Sequence, residues 1–338
     1  MTESPADSGP SAPLAPAPPA RQRPQAIKAV PLHHPWRWVA AAVVLLVLVG
    51  IVDTFVSAPY LRWPVVRQYL FDSQILEGAV VTLYLTAIAM IVGVGLGVLL
   101  AVMRLSTNPV MSTVSWLYIW FFRGTPVLVQ LFFWFNIYLI LPSLTFGIPF
   151  THIAVTASTN TLITPLVAAI LGLGLNEAAY MAEIVRAGII SVDQGQTEAA
   201  HALGMRRSQV MRRIILPQAM RVIVPPTGNE TISMLKTTSL AYIVSLHELF
   251  FVSQEVANFN YRIVELLIVA SIWYLVMSSV LTVFQYYIER HFAQGSVRGL
   301  PPTPIQRLRR MLFQFHAPPP FVADVAPWLE PGRPHSGL

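Results

Sequence analysis

Apolar residues run along this chain in blocks of membrane length, separated by short polar stretches. A helix needs about 20 apolar residues to cross a bilayer, and six segments meet that measure: roughly 36–58, 79–102, 113–141, 162–190, 235–256 and 265–288. The pattern predicts an all-α, polytopic membrane protein of about six transmembrane helices. Two blocks are too long for plain cylinders. At 1.5 Å per residue, 113–141 would reach about 43 Å against an apolar core of about 30 Å. Gly124 and Pro126 in "WFFRGTPVLVQ" interrupt it, since Pro126 removes a backbone donor. Residues 110–122 are therefore read as partly interfacial, with the crossing beginning near Pro126. The excess in 162–190 coincides with a polar cluster that starts at Asn176. Gly93 and Gly97 in "IVGVGLG" are four apart on one helical face, a spacing that lets helices approach closely inside lipid.

The segments outside these blocks differ in kind. Residues 1–35 are rich in Pro, Ala and Ser, and 291–338 carry "PPTP", "APPPF" and "PGRP". Neither can bury enough apolar surface to fold alone, so both are expected to be disordered cytoplasmic tails. The first apolar block, within 36–60, reads as a retained helix. "FVSAPY" offers small residues like a cleavage site, but the run is longer than a usual signal core.

Composition sharpens the class: 54% of residues are hydrophobic and 11% charged, where a soluble domain carries about 25% charged. The net charge of +6 does not imply nucleic acid, because the basic residues are distributed by loop. With both termini cytoplasmic, only Arg62, Arg67 and Arg262 fall in outside loops, as the positive-inside tendency requires. There is no cysteine, hence no thiolate metal site or cysteine nucleophile. The two lysines, Lys28 and Lys236, do not follow a glycine, which excludes a GxxxxGK[ST] phosphate loop; HExxH and GxSxG are also missing. No metal site, cofactor or catalytic residue is expected. If the protein drives anything with ATP, another chain must hydrolyse it.

The loop 191–233 concentrates charge: Arg206, Arg207, Arg212 and Arg213 lie within "EAAHALGMRRSQVMRRIILPQ". The arginines suit an inside loop without further purpose. Residues 198–203 can form a short helix whose Ala199, Ala200 and Ala202 project little, so that it could enter a cleft on a partner. Gly204 permits a turn there. Residues 205–216 restart a helix, and Pro217 and Pro225-Pro226 limit its extent. An acid at Glu198 also suits the first turn of a helix, worth about 0.3–1 kcal/mol.

The stretch 198–217 fits EAA-x3-G-x9-I-x-L-P at every fixed position and resembles the cytoplasmic coupling loop of ABC importer permeases. "EGAVVTLYLT" (77–86), "RGTPVLVQLFF" (123–133), "EAAYMAEIVRAGIISVDQGQTEAA" (177–200) and "LKTTSLAYIVS" (235–245) are similar to the polar amino acid uptake branch of that family. The likeness covers roughly 75–290 and departs at Ala187, where the family more often has glycine. It implies a five-helix permease core in the bacterial cytoplasmic (inner) membrane, preceded by one extra span. It also implies a second permease chain, identical or not, two ATPase subunits below, and an extracytoplasmic solute-binding protein delivering a polar amino acid. Glu198, Ala199, Ala200, Gly204, Leu216 and Pro217 would then couple to the ATPase.

For the translocation path, Asn176, Tyr180 and Glu183 lie at i, i+4 and i+7 on one stripe, with Glu177 about a quarter turn away. Ionisable residues inside a span face a cavity or a partner. Asn176 and Glu177 are candidates for an ammonium or a cationic side chain, whereas Glu183 has Arg186 three residues on as an alternative partner. Arg123 either snorkels to the interface or pairs with one of these carboxylates. Lys236, Thr237, Thr238 and Ser239 read as an interfacial helix start, and His247 and Glu248 take no role from the pattern. An ion-gradient-driven carrier is the competing function, although no inverted repeat of the kind such carriers show is evident.

Overall fold

The computed structural model describes residues 35–147 and 154–292; both proline-rich tails lie outside them. The chain separates into two units, ending and beginning at Tyr60 and Leu61. The first contains α1 (Pro35–Val56), apolar on every side and with Trp36 and the side chains from Trp38 to Val56 exposed, Leu46 at 71% for example. A helix apolar all round belongs in a core or in lipid, and its 22 residues span about 33 Å.

The second unit begins with α2 (Trp63–Leu70) and α3 (Ser73–Arg104). Asp72 caps α3, accepting the Gln74 N–H at 2.9 Å. Asn108 does the same for α4 (Pro109–Gly124) through the Val110 N–H. After α5 (Val127–Phe135) and a 3₁₀ turn at Ile137–Leu139, a hairpin of β1 (Ser143–Gly147) and β2 (Ala154–Ser158) pairs Ser143 with Ser158. This small sheet, stitched by the Thr145 and Thr156 hydroxyls 2.9 Å apart, was not expected. Next come α6 (Thr159–Leu162), α7 (Pro165–Ile190), α8 (Gln194–Ala202) and α9 (Arg207–Val210). A π turn at Met211–Ile215 leads into α10 (Leu216–Thr237), and a 3₁₀ stretch at Thr238–Val244 into α11 (Leu249–Asn260) and α12 (Ile263–Phe292).

The principal contact is α3 against α7. Gly93 and Gly97 lie in it: a Cβ at Gly97 would stand 2.5 Å from Met181 Cβ, and one at Gly93 2.5 Å from Glu177 Cγ. The packing role read from their spacing holds. Leu85, Leu131, Leu173 and Met234 then join α3, α5, α7 and α10 in one core, while Ile75, Leu249 and Leu266 join α3, α11 and α12 in another.

The all-α, polytopic pattern agrees with the structure, and two expectations need correction, the helix over 235–256 and the stop at Pro225-Pro226. Four helices among the described residues are long and apolar enough to cross a membrane, or five if α4 and α5 form one broken span. Those two helices meet at 101°. With nine residues, α5 reaches only about 14 Å, so the break expected at Gly124–Pro126 is present and α4 is the longer limb. The expected helix over 235–256 is interrupted, because α10 ends at Thr237 and Ser245 takes a left-handed backbone (φ 57°) before α11. Finally, Pro225 and Pro226 do not stop α10. Each proline withholds a donor from the carbonyl four residues earlier, here Arg221 O and Val222 O, and the helix runs on past both while packed against α7 and α12.

Candidate functional site

The break between α4 and α5 organises the site. Pro126 has no N–H, so the Phe122 carbonyl four residues earlier loses its helical donor. Two side chains replace it: Gln130 Nε2 of α5 at 3.0 Å and Asn176 Nδ2 of α7 at 2.9 Å. Gln130 also donates to Thr125 O and Oγ1, at 3.1 and 2.8 Å. The buried Gln130 thus holds the bend, and Asn176 ties it to α7. Arg123, one residue before the end of α4, lies with its guanidinium 5.1 Å from the centroid of the Tyr180 ring.

These residues border a cavity of about 540 Å³ between α4, α5, α7 and α10. Arg123, Asn176, Glu177 and Tyr180 all line it, so four of the five path candidates converge although they come from two separate stretches of sequence. Glu177 is 4% exposed, and its Oε1 is buried with no hydrogen-bond partner among the described residues. The fifth candidate is held apart. Glu183 accepts from Arg186 Nη2 at 2.7 Å and from Nε at 3.2 Å, the alternative the i, i+3 spacing offered. It lines a second cavity of about 520 Å³ with Arg104, Trp116 and Trp120. Arg123 is exposed and stands over Tyr180 rather than in an ion pair with a carboxylate among the described residues.

Sequence reasoning missed the opposite wall. Glu230, Ser233 and Thr237 of α10 line the first cavity. Their i, i+3, i+7 spacing in "ETISMLKT" is a polar helical stripe that could have revealed them, had the proline pair not been taken as a helix end. Lys236, Thr237 and Thr238 close α10 rather than open a span.

The loop after α7 folds as a compact unit. Asp193 caps α8, accepting the Gly195 N–H at 2.7 Å. Glu198 is therefore the fifth residue of the helix, beyond the first turn where the dipole favours an acid. At the other end Met205 N–H bonds to Ala200 O and Gly204 N–H to His201 O, at 3.1 and 2.9 Å, the paired bonds of a Schellman motif. Gly204 has φ +75°, so the turn read there favours glycine. Glu198, Ala199, Ala202 and Leu203 face outward, Leu203 at 83%, whereas Ala200 is buried within the loop. Leu216 and Pro217 open α10, both exposed, and Ala187 is exposed too, so its methyl obstructs nothing.

Residues 93–294 match the family model described as the binding-protein-dependent transport system inner membrane component. The chain belongs to this family. It is 50% identical over 279 residues to the arginine transport system permease protein ArgU of Corynebacterium glutamicum, covering 82% of this chain and 87% of that protein. It is 36% identical to the L-cystine transport system permease protein TcyL of Bacillus subtilis, over 64% of this chain and 87% of that one. Among solved structures, an amino acid ABC transporter matches at 33% identity with a TM-score of 0.56, over 64% of this chain and 94% of that one. A bacterial ABC transporter involved in import of the acidic polysaccharide alginate matches at 13% identity and a TM-score of 0.50, over 76% and 96% of the two chains; that likeness is of fold alone. The permease is therefore of the ABC importer type, as the loop motif implied, and the ion-gradient alternative is not favoured.

Proposed function

We propose that this permease carries an amino acid with a cationic side chain across the bacterial inner membrane through the cavity lined by Arg123, Asn176, Glu177, Tyr180 and Glu230. The observation that carries this reading is charge inventory. The cavity presents two carboxylates, Glu177 and Glu230, and one guanidinium, Arg123; a basic amino acid presents two cations and one carboxylate. A buried carboxylate oxygen without a partner, as at Glu177, is costly unless something pairs with it, and an arriving ammonium or guanidinium would do so. The name of the 50% identical arginine permease agrees, and that of the 36% identical cystine permease supports the wider class of polar amino acids.

In this reading residues 75–290 form the permease domain, with α3, the α4–α5 pair, α7 and α12 as crossings, α10 as a fifth that is less apolar because it carries the polar wall of the cavity, and α1 as an added one. Both termini are cytoplasmic, which places the loop 191–215 inside. There α8 seats in a dimeric ATPase subunit through Glu198 and Ala199, while Ala200 and Gly204 keep the loop's shape, and Leu216 and Pro217 pass its motion to α10. A second permease chain completes the channel, and an extracytoplasmic binding protein delivers substrate. The test is uptake of labelled arginine into proteoliposomes carrying the permease, its co-expressed ATPase and its binding protein. Glu177→Gln with Glu230→Gln should lower uptake more than about tenfold, equivalent to about 1.4 kcal/mol, with assembly intact. Unchanged uptake in that variant, or uptake that survives loss of the ATPase, would overturn the reading.

A further inference from the structure

The two cavities beside α7 share three wall residues: Arg123, Gly124 and Tyr180. On one side lie Glu177 and Glu230; on the other lie Arg104 and the Glu183–Arg186 pair. We propose that Arg123 stacked on Tyr180 is the barrier between them, and that substrate passes when the guanidinium leaves the ring. This rests on the reading that the first cavity is on the path.

Three observations support it. First, the contact is a cation over an aromatic face at 5.1 Å, an interaction strong enough to set a resting position and weak enough to break in every cycle. Second, Arg123 stands next to a joint. The α4 axis turns by 101° within two residues of it, and Gly124 has nothing within 4 Å of where a Cβ would be. A small rotation about Thr125 therefore swings the arginine without a clash at Gly124. Third, each side of the wall offers the departing guanidinium a carboxylate, Glu177 and Glu230 in one cavity and Glu183 in the other, so it need not be left unpaired in a low-dielectric setting. A substrate cation arriving at Glu177 and Glu230 would compete for the same carboxylates and favour the swing toward Glu183. Tyr180 has the opposite duty: its ring fixes where the arginine rests.

The chain has no cysteine, so a single reporter thiol is clean. Ser233 is exposed on the wall of the first cavity, and Ser233→Cys serves in the assembled transporter in inverted membrane vesicles. The probe is the impermeant trimethylammonium-ethyl methanethiosulfonate, added from the side of the 194–215 loop. Tyr180→Leu should raise the labelling rate by at least about tenfold, while Tyr180→Phe, which keeps a ring face, should stay within about twofold of the parent. Assembly is read first, by co-purification with the ATPase; Arg123→Gln, with the same expected increase, replaces Tyr180→Leu should the latter not assemble. Equal rates in the leucine and phenylalanine variants, or in Arg123→Gln and the parent, would overturn the barrier. Labelling of Ser233→Cys that leaves uptake unaltered would instead fault the path reading on which it rests.

Discussion

Tyr274 of α12 donates a 2.8 Å hydrogen bond to Glu248, a carboxyl with no exposed surface at the start of α11. The same carboxyl caps α11 by accepting the Phe250 and Phe251 N–H groups at 2.9 and 2.7 Å. Thr82 of α3 completes the junction, its hydroxyl taking the Leu249 N–H at 3.1 Å. Gly78 lets α3 come this near, since a Cβ there would lie 3.1 Å from Leu249 Cα. One acid thus joins three helices. Removing one partner of a buried hydrogen bond costs about 1–3 kcal/mol, and losing a helix cap about 0.5–2 kcal/mol. Glu248→Ala should therefore destabilise more than Tyr274→Phe. Thermal melting in detergent, followed by size-exclusion chromatography, checks the order; a Glu248→Ala variant that melts with the parent would refute it.

The α3–α7 interface predicts a contrast between two glycines of one motif. Gly97 faces Met181 Cβ at 2.5 Å from its own would-be Cβ, whereas Gly95 has nothing within 4 Å. Gly97→Ala must push two helices apart and should cost about 1–3 kcal/mol, the usual range for overpacking. Gly95→Ala should be neutral or stabilising by up to about 1 kcal/mol, because alanine loses less backbone freedom. The same melting assay separates them, and equal effects would disprove the packing account.

Much of this was legible in the sequence, for reasons that differ by residue. Gly204 announced its turn because only glycine rests easily at φ +75°. Asn176, Glu177 and Tyr180 announced a cavity because polar side chains at helical spacing inside an apolar block need a polar neighbourhood. Glu230 stayed hidden because Pro225 and Pro226 suggested that no helix continued to carry it; the support for α10 is tertiary, its packing against α7 and α12. Glu248 stayed hidden for a related reason. Its partners, Thr82 and Tyr274, lie 166 and 26 residues away, and no local pattern connects them.

The bend at Pro126 allows a test of shared support. Gln130 and Asn176 both donate to Phe122 O, so either alone still satisfies that carbonyl. Gln130→Leu and Asn176→Leu should each cost less than their joint loss implies, and the double variant should exceed the sum of the singles by about 0.5–3 kcal/mol. A double-mutant cycle on melting measures this directly. Additive costs would show that the two amides support the bend independently.

The loop between α7 and α10 predicts a loss of coupling that leaves the membrane part intact. Gly204→Ala forces a side chain into a left-handed conformation, at about 1–2 kcal/mol. Gly204→Pro does more: it fixes φ near −65° and deletes the N–H that now bonds to His201 O. The change of chain direction after α8 would then be lost, and Glu198 and Ala199 would be presented at a different angle. Because Gly204 is exposed with nothing near it, the helices around the cavity should keep their packing. In proteoliposomes containing the ATPase and the binding protein, Gly204→Pro should lower arginine uptake per ATP hydrolysed by about tenfold or more, with Gly204→Asn closer to the parent because asparagine tolerates the left-handed region. If uptake per ATP in the proline variant equals that of the parent, α8 is not the element through which the ATPase moves this permease.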